Sequence, residues 1–139
     1  AIQKDQKTMQ EFTKKIRNEF KFLDYAPIVY VSALERSRIN TIFQAIDVAY
    51  DAYNMRVSTS VINEIMQDAQ TMNPTPYFNG GRLKIFFANQ VSTCPPKFVL
   101  FVNDPHFMHF SYQRYIENKL RETFEFEGSP LNIICRERK

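Results

Sequence analysis

Nine residues limit most strongly what this chain can fold into: Lys97-Phe-Val-Leu-Phe-Val-Asn-Asp-Pro105. The apolar block Phe98 to Val102 is too short for a helix and rich in aromatic and β-branched side chains. It reads as a strand buried on both faces, and hence as the centre of a sheet. Asn103 or Asp104 can cap a helix directly after it, and Pro105 suits a first turn, where a missing N–H costs nothing.

The flanking patterns supply neighbours for such a strand. Leu83, Ile85 and Phe87 alternate with Lys84, Phe86 and Ala88, which predicts a strand whose more polar face carries Phe86 beside Lys84. Only a short loop with Cys94-Pro95-Pro96 separates the two runs, so they are expected to pair antiparallel. One continuous helix is expected from about Pro105 to Phe124, with Met108, Tyr112, Ile116, Leu120 and Phe124 on the sheet side and Arg114, Glu117 and Arg121 on another. Gly128-Ser129-Pro130 ends the connection, and Leu131 to Cys135 alternates as a last strand. Ser58 or Thr59 can cap a helix carrying Ile62, Ile65, Met66 and Ala69, so residues 58–139 form an α-β-β-α-β unit.

Residues 1–57 read as a separate α-β-α piece. Thr8-x-x-Glu11 has the form of a capping box, followed by Met9, Phe12, Ile16 and Phe20 at helical spacing. After Asp24-Tyr-Ala-Pro27, the run Ile28 to Val31 predicts a strand, whose unpaired edges would invite dimerisation or aggregation. Ile39, Phe43, Ile46, Tyr50 and Tyr53 then mark a second amphipathic helix ending near Asn54. The fold class is α/β (α+β), with a three-stranded sheet covered by helices on one face.

Charge narrows the partners. The net value is +3, with 9 basic and 7 acidic groups up to residue 58 and 9 and 8 beyond it. Nucleic-acid contact must therefore come from local arrangement rather than bulk charge. No apolar run has transmembrane length and the first residues lack a secretion signal, so the expected location is the cytoplasm. Cys94 and Cys135 are isolated and expected to be reduced, Cys135 within the core.

No motif for catalysis stands out. The three glycines, Gly80, Gly81 and Gly128, form neither a phosphate loop nor a dinucleotide fingerprint. His106 and His109 with Asp104 have a spacing open to metal, but third ligands are missing and an exposed first turn is the simpler reading. Glu117, Glu122, Glu125 and Glu127 mix with Lys119 and Arg121 as a solvated ion-pair face. Most of the 13 Phe and 7 Tyr follow the apolar periodicity and belong to the core, Phe86 being the exception.

Four stretches carry a resemblance: Arg82-Leu-Lys-Ile-Phe-Phe-Ala-Asn-Gln-Val, Pro95 to Pro105, His109-Phe-Ser-Tyr-Gln-Arg-Tyr-Ile-Glu-Asn and Phe124-Glu-Phe-Glu-Gly-Ser-Pro. In these the chain resembles the C-terminal end of the Der (EngA) family, bacterial GTPases with two G domains and a KH-like domain. Upstream, Phe22 to Leu34 resembles the end of the second G domain, with Ser32, Ala33 and Leu34 as its last guanine-recognition loop. The resemblance implies GTP or GDP with Mg in intact relatives. Here the phosphate loop, switch regions and Asn-Lys-x-Asp motif are absent, so the chain reads as a fragment without catalytic residues, metal or measurable GTP affinity.

Family function implies binding to the large (50S) ribosomal subunit and its rRNA during assembly, with the upstream G domains repositioning the KH-like domain, and no role for DNA or membrane. KH modules grip nucleic acid with a GXXG loop, which this sequence lacks. The candidate phosphate contacts are Arg82, Lys84, Lys97, Arg136, Arg138 and Lys139, each of which reads equally as a solvated charge. The alternative is a protein-docking platform for the G domains or a ribosomal protein, without direct RNA contact.

Overall fold

A computed structural model describes residues 2–32 and 38–138 of the chain. The helices are α1 (Ile2–Glu19), α2 (Ile39–Tyr53), α3 (Thr59–Met72) and α4 (Phe110–Thr123). The strands are β1 (Tyr77–Phe78), β2 (Gly81–Arg82), β3 (Ile85–Ser92), β4 (Lys97–Val102) and β5 (Asn132–Glu137). β1 and β2 form a small hairpin, while the main sheet has the order β3-β4-β5, antiparallel on one side of β4 and parallel on the other. The expected central strand is thus central, and Phe98, Leu100 and Val102 on it are fully buried.

α3 and α4 cover one face of this sheet. Ile62, Met66 and Ala69 of α3 and Tyr112, Ile116 and Leu120 of α4 meet Leu83, Ile85, Ala88, Phe98, Leu100 and Val102 in one core. The tyrosines find polar ends for their rings: Tyr112 Oη donates to the Asn73 carbonyl at 3.0 Å and Tyr115 Oη to the Ala69 carbonyl at 2.9 Å. The expected α-β-β-α-β order is present as α3-β3-β4-α4-β5, with the β1–β2 hairpin added between α3 and β3 where only a loop was expected.

Side-chain amides close the outer edge of β3. Asn63 of α3 accepts from the Ala88 N–H at 2.8 Å and donates to its carbonyl at 2.9 Å. Gln70, two turns on, does the same for Ile85 at 2.9 and 3.2 Å. Backbone groups that would be unpaired on an edge strand are satisfied by a helix instead of a fourth strand. Gln90, 8% exposed, ties β3 to the α2–α3 joint by accepting from the Val57 N–H and donating to the Met55 carbonyl, each at 2.8 Å.

Four expectations are corrected. α1 already runs from Ile2, so Thr8 and Glu11 lie inside it and do not mark its start. Ile28 to Val31 forms no strand, and Ser32 alone makes a bridge, because a strand exists only against a neighbour and no described residue offers a ladder there. The helix after β4 is divided: Pro105–Phe107 is a 3-10 turn capped by Asp104, which accepts from the His106 N–H, and α4 starts afresh with the His109 ring accepting from the Ser111 N–H. Finally, β3 contains a bulge between Ile85 and Phe87, which turns Phe87 outward rather than inward with Ile85.

The segments before residue 58 seat on this core through particular contacts. The Gly128 N–H donates to the Tyr25 carbonyl at 3.0 Å and the Cys94 N–H to the Tyr53 carbonyl at 2.8 Å. Arg114 pairs with Asp24 at 3.1 Å, and the Arg121 guanidinium lies 5.1 Å from the Tyr25 ring centre. Ala52 of α2 is fully buried in the shared core. By contrast, Phe43, Ile46 and Tyr50 of the expected apolar stripe of α2 are 62%, 55% and 67% exposed.

Candidate nucleic-acid interface

The face of the main sheet opposite α3 and α4 carries no described helix. Strand register fixes its members. Ala88 pairs with Leu100 and Gln90 with Phe98 on the helix side, so the alternate pairs Phe87 with Phe101 and Asn89 with Val99 lie on the opposite, open side, where Phe87 is exposed, Phe101 and Asn89 are half-buried and Val99 is only 2% exposed. In β5 the open positions are Ile134, opposite Val99, and Arg136, opposite Phe101.

The bulge enlarges the aromatic part of this face. Ile85 pairs with Val102 and Phe87 with Phe101, leaving Phe86 as the extra residue. Both phenylalanines are consequently solvent-facing, at 39% and 44% exposure. The Phe87 and Phe101 ring centres are 6.2 Å apart. Around Phe86 the cations gather: Lys84 Nζ is 5.3 Å from its ring centre, and the guanidinium of Arg138 is 4.8 Å away. Arg138 is aimed there by its backbone N–H, which donates to the Val102 carbonyl at 2.9 Å.

Charge on this face has one sign. Lys97, Arg136 and Arg138 stand at open-face positions, Lys84 adjoins Phe86, and none of the strand positions sharing the face is Asp or Glu. Among the described residues the acidic side chains Glu64, Asp68, Glu117 and Glu122 lie on the helices, and Glu137, the one acidic residue of the main sheet, pairs with Val102 on the helix side of β5 between Arg136 and Arg138. A chain of small net charge thereby presents an electropositive surface. At its middle, the Asn89 carboxamide oxygen is buried without a hydrogen-bond partner.

The six predicted phosphate contacts separate. Lys84, Lys97, Arg136 and Arg138 belong to or border this face. Arg82 sits on the small hairpin, with its carbonyl accepting from Asn103 Nδ2 at 2.9 Å, and Lys139 lies outside the described residues. Of the guanine-loop residues, Ser32 is half-buried, and Ala33 and Leu34 lie outside the described range. What the sequence reading missed was the joint exposure of Phe86 and Phe87; the two adjacent Phe residues break strict alternation and are the one local signal of it.

The remaining candidates have structural partners. Hydrogen bonds from the backbone N–H and ring of His106 hold the Asp104 carboxyl below its ordinary range. His109 packs between Phe78 and Phe110, with ring centres at 4.8 and 4.5 Å. Among the described residues, no group of three or more His, Cys, Asp or Glu side chains is placed to hold a metal. Arg121 is not a solvated charge: with its side chain 18% exposed, it donates to the Phe126 and Ser129 carbonyls at 3.1 and 2.9 Å and so clamps the loop before β5. A cleft between α1 and the segment leading to Ser32 is lined by Met9, Thr13, Tyr30 and Arg38 and shares no lining residue with the open face. No described helix is long and apolar enough to cross a membrane.

Residues 56–136 match a family described as the KH-domain-like region of EngA bacterial GTPase enzymes, C-terminal. A protein named GTPase Der from Geobacillus thermodenitrificans is 53% identical over 139 residues, which is 100% of this chain and 32% of that relative. GTPase Der from Bacillus cereus (strain ATCC 10987) is 52% identical over 138 residues, 99% of this chain and 32% of the relative. The chain spans about a third of the length of the curated relatives it matches.

Proposed function

The chain belongs to the EngA (Der) GTPase family as its KH-domain-like C-terminal part, and from that premise we propose that it holds a ribosomal RNA on the open face of its main sheet. In this reading the intact protein is a GTP-hydrolysing factor of ribosome biogenesis in the cytoplasm, using GTP with Mg in upstream G domains. The present chain supplies contact with the large ribosomal subunit and no catalytic group. Residues 1–57 are the end of the second G domain and residues 58–139 the KH-like domain. The Tyr25, Tyr53 and Arg114 contacts are then the mechanical joint by which nucleotide state shifts the binding face.

The observation that carries the proposal is the gathering of Lys84, Lys97, Arg136 and Arg138 on or beside a face whose strand positions hold no carboxylate, Glu137 of β5 alternating to the helix side. Four phosphate contacts give a log–log salt slope of roughly −3, so affinity should drop on the order of fifty-fold between about 50 and 200 mM salt. Co-sedimentation with purified large subunits across that range tests it. Lys84→Glu with Arg136→Glu should abolish pelleting while leaving the far-UV circular dichroism intact. Salt-independent pelleting, or none at low salt, would contradict direct RNA contact.

A second reading treats the same face as a seat for a protein domain. The exposed Phe87 and Val91 favour it, at 44% and 47%. It expects the charge-reversed chain to keep its association with the G domains.

A further inference from the structure

Phosphate contacts explain affinity but not the aromatic half of the face. An electropositive groove for duplex RNA needs cations at the rim and has no use for rings in the middle, since bases in a duplex are stacked on each other. Here the bulge in β3 brings Phe86 outward beside Phe87, and Phe87 packs with Phe101 on the neighbouring strand. A strand without the bulge would present only one of the two residues to this side.

We propose that the open face takes unpaired RNA, bases stacking on Phe86, Phe87 and Phe101 while Lys84, Arg136 and Arg138 hold the adjoining phosphates. This rests on the reading of the face as an RNA site and narrows the ligand class to a single-stranded segment. The chemistry is local. A sheet with outward aromatics is a platform on which successive bases can lie, each offering a π-face whatever its identity. The guanidinium of Arg138, 4.8 Å from the Phe86 ring centre, extends that platform with a second planar surface that also carries charge.

Asn89 adds a polar element. Its carboxamide oxygen lacks a donor among the described residues, and Asn89 pairs with Val99 two residues along from the aromatic pair on the same side of the sheet. An RNA N–H or 2′-hydroxyl reaching it as the side chain turns outward would satisfy an acceptor that is otherwise costly to bury. The site thus works without a GXXG loop: the grip moves from a helix–helix turn to the opposite side of the domain.

The test is fluorescence anisotropy of the 139-residue chain with a labelled eight-nucleotide single-stranded RNA and with the same strand in duplex. The single strand should bind about ten-fold or more tightly than the duplex. Phe86→Leu with Phe87→Leu keeps apolar bulk but removes the rings, and should weaken single-strand binding about ten-fold with an unchanged salt slope. Arg136→Gln with Arg138→Gln should instead lower the slope by about 0.7 for each lost phosphate. Duplex preference, or full affinity in the leucine variant, overturns the stacking proposal while leaving a charge-based RNA site standing. If the glutamine variant is also unaffected, the RNA reading itself fails. Association with the G domains in place of any RNA overturns both. Urea unfolding of each variant verifies that the fold is intact.

Discussion

Removing the carboxamide of Asn63 should open the covered edge of β3. Asn63→Ala deletes one accepted and one donated hydrogen bond to Ala88, both in partly buried surroundings. Each such bond contributes about 0.5–1.5 kcal/mol net, and the Ala88 backbone groups are left to partial hydration, so a loss of roughly 2 kcal/mol is expected. With a urea dependence of about 2 kcal/mol per molar, the unfolding midpoint falls by about 1 M. Stability alone does not isolate the mechanism, so native-state hydrogen exchange supplies the second readout. The Ala88 amide should exchange by local opening in the variant, while amides of β4, bonded to both neighbours, continue to follow global unfolding. If Ala88 exchange still tracks global stability in Asn63→Ala, helix amides do not guard this edge.

Two further outcomes follow from packing and titration. At Gly128 the backbone has φ +85°, and a Cβ would lie 2.5 Å from Ala49 Cβ of α2. Gly128→Ala should therefore cost roughly 3 kcal/mol, combining a left-handed conformation with overpacking, and calorimetry should show a matching drop in Tm; an unchanged Tm would refute the close seating of α2. Burial pushes the Cys135 thiol up to about 11 and, chiefly by the same cause, the Tyr112 phenol up to about 12. Both raised values favour the neutral form in the folded state, so their contribution is complete below the unfolded values of about 8.5 and 10 and is lost as pH climbs through 11 and 12. Urea midpoints should fall across that window. At pH 8 iodoacetamide should label the exposed Cys94 and spare Cys135 until the chain unfolds; equal labelling rates would refute the burial argument.

Several elements could be read from residues alone because their signals are local. Phe98 to Val102 could be only a buried strand, Asp104 and Pro105 only the start of a helical turn, and the four-residue spacing from Tyr112 to Leu120 only a helix face against a sheet. Four of the six candidate cations were also in view, since exposed Lys and Arg near strand ends are visible in the pattern. Other features depend on partners distant in sequence. Asn63 and Gln70 are indistinguishable from ordinary surface polar residues until α3 is laid along β3, 15 to 25 residues later. Ile28 to Val31 has strand composition, but a ladder needs a neighbour. The bulge at Phe86 is likewise a property of pairing: alternation counts residues along one strand, whereas the extra residue appears only when β3 is registered against β4. The sequence thus determined the scaffold and the inventory of cations, while the tertiary structure decided which face they share and that two adjacent phenylalanines, rather than one, accompany them. Hydrogen-bond register between strands sets that outcome, and register is a relation between segments that neither segment carries by itself.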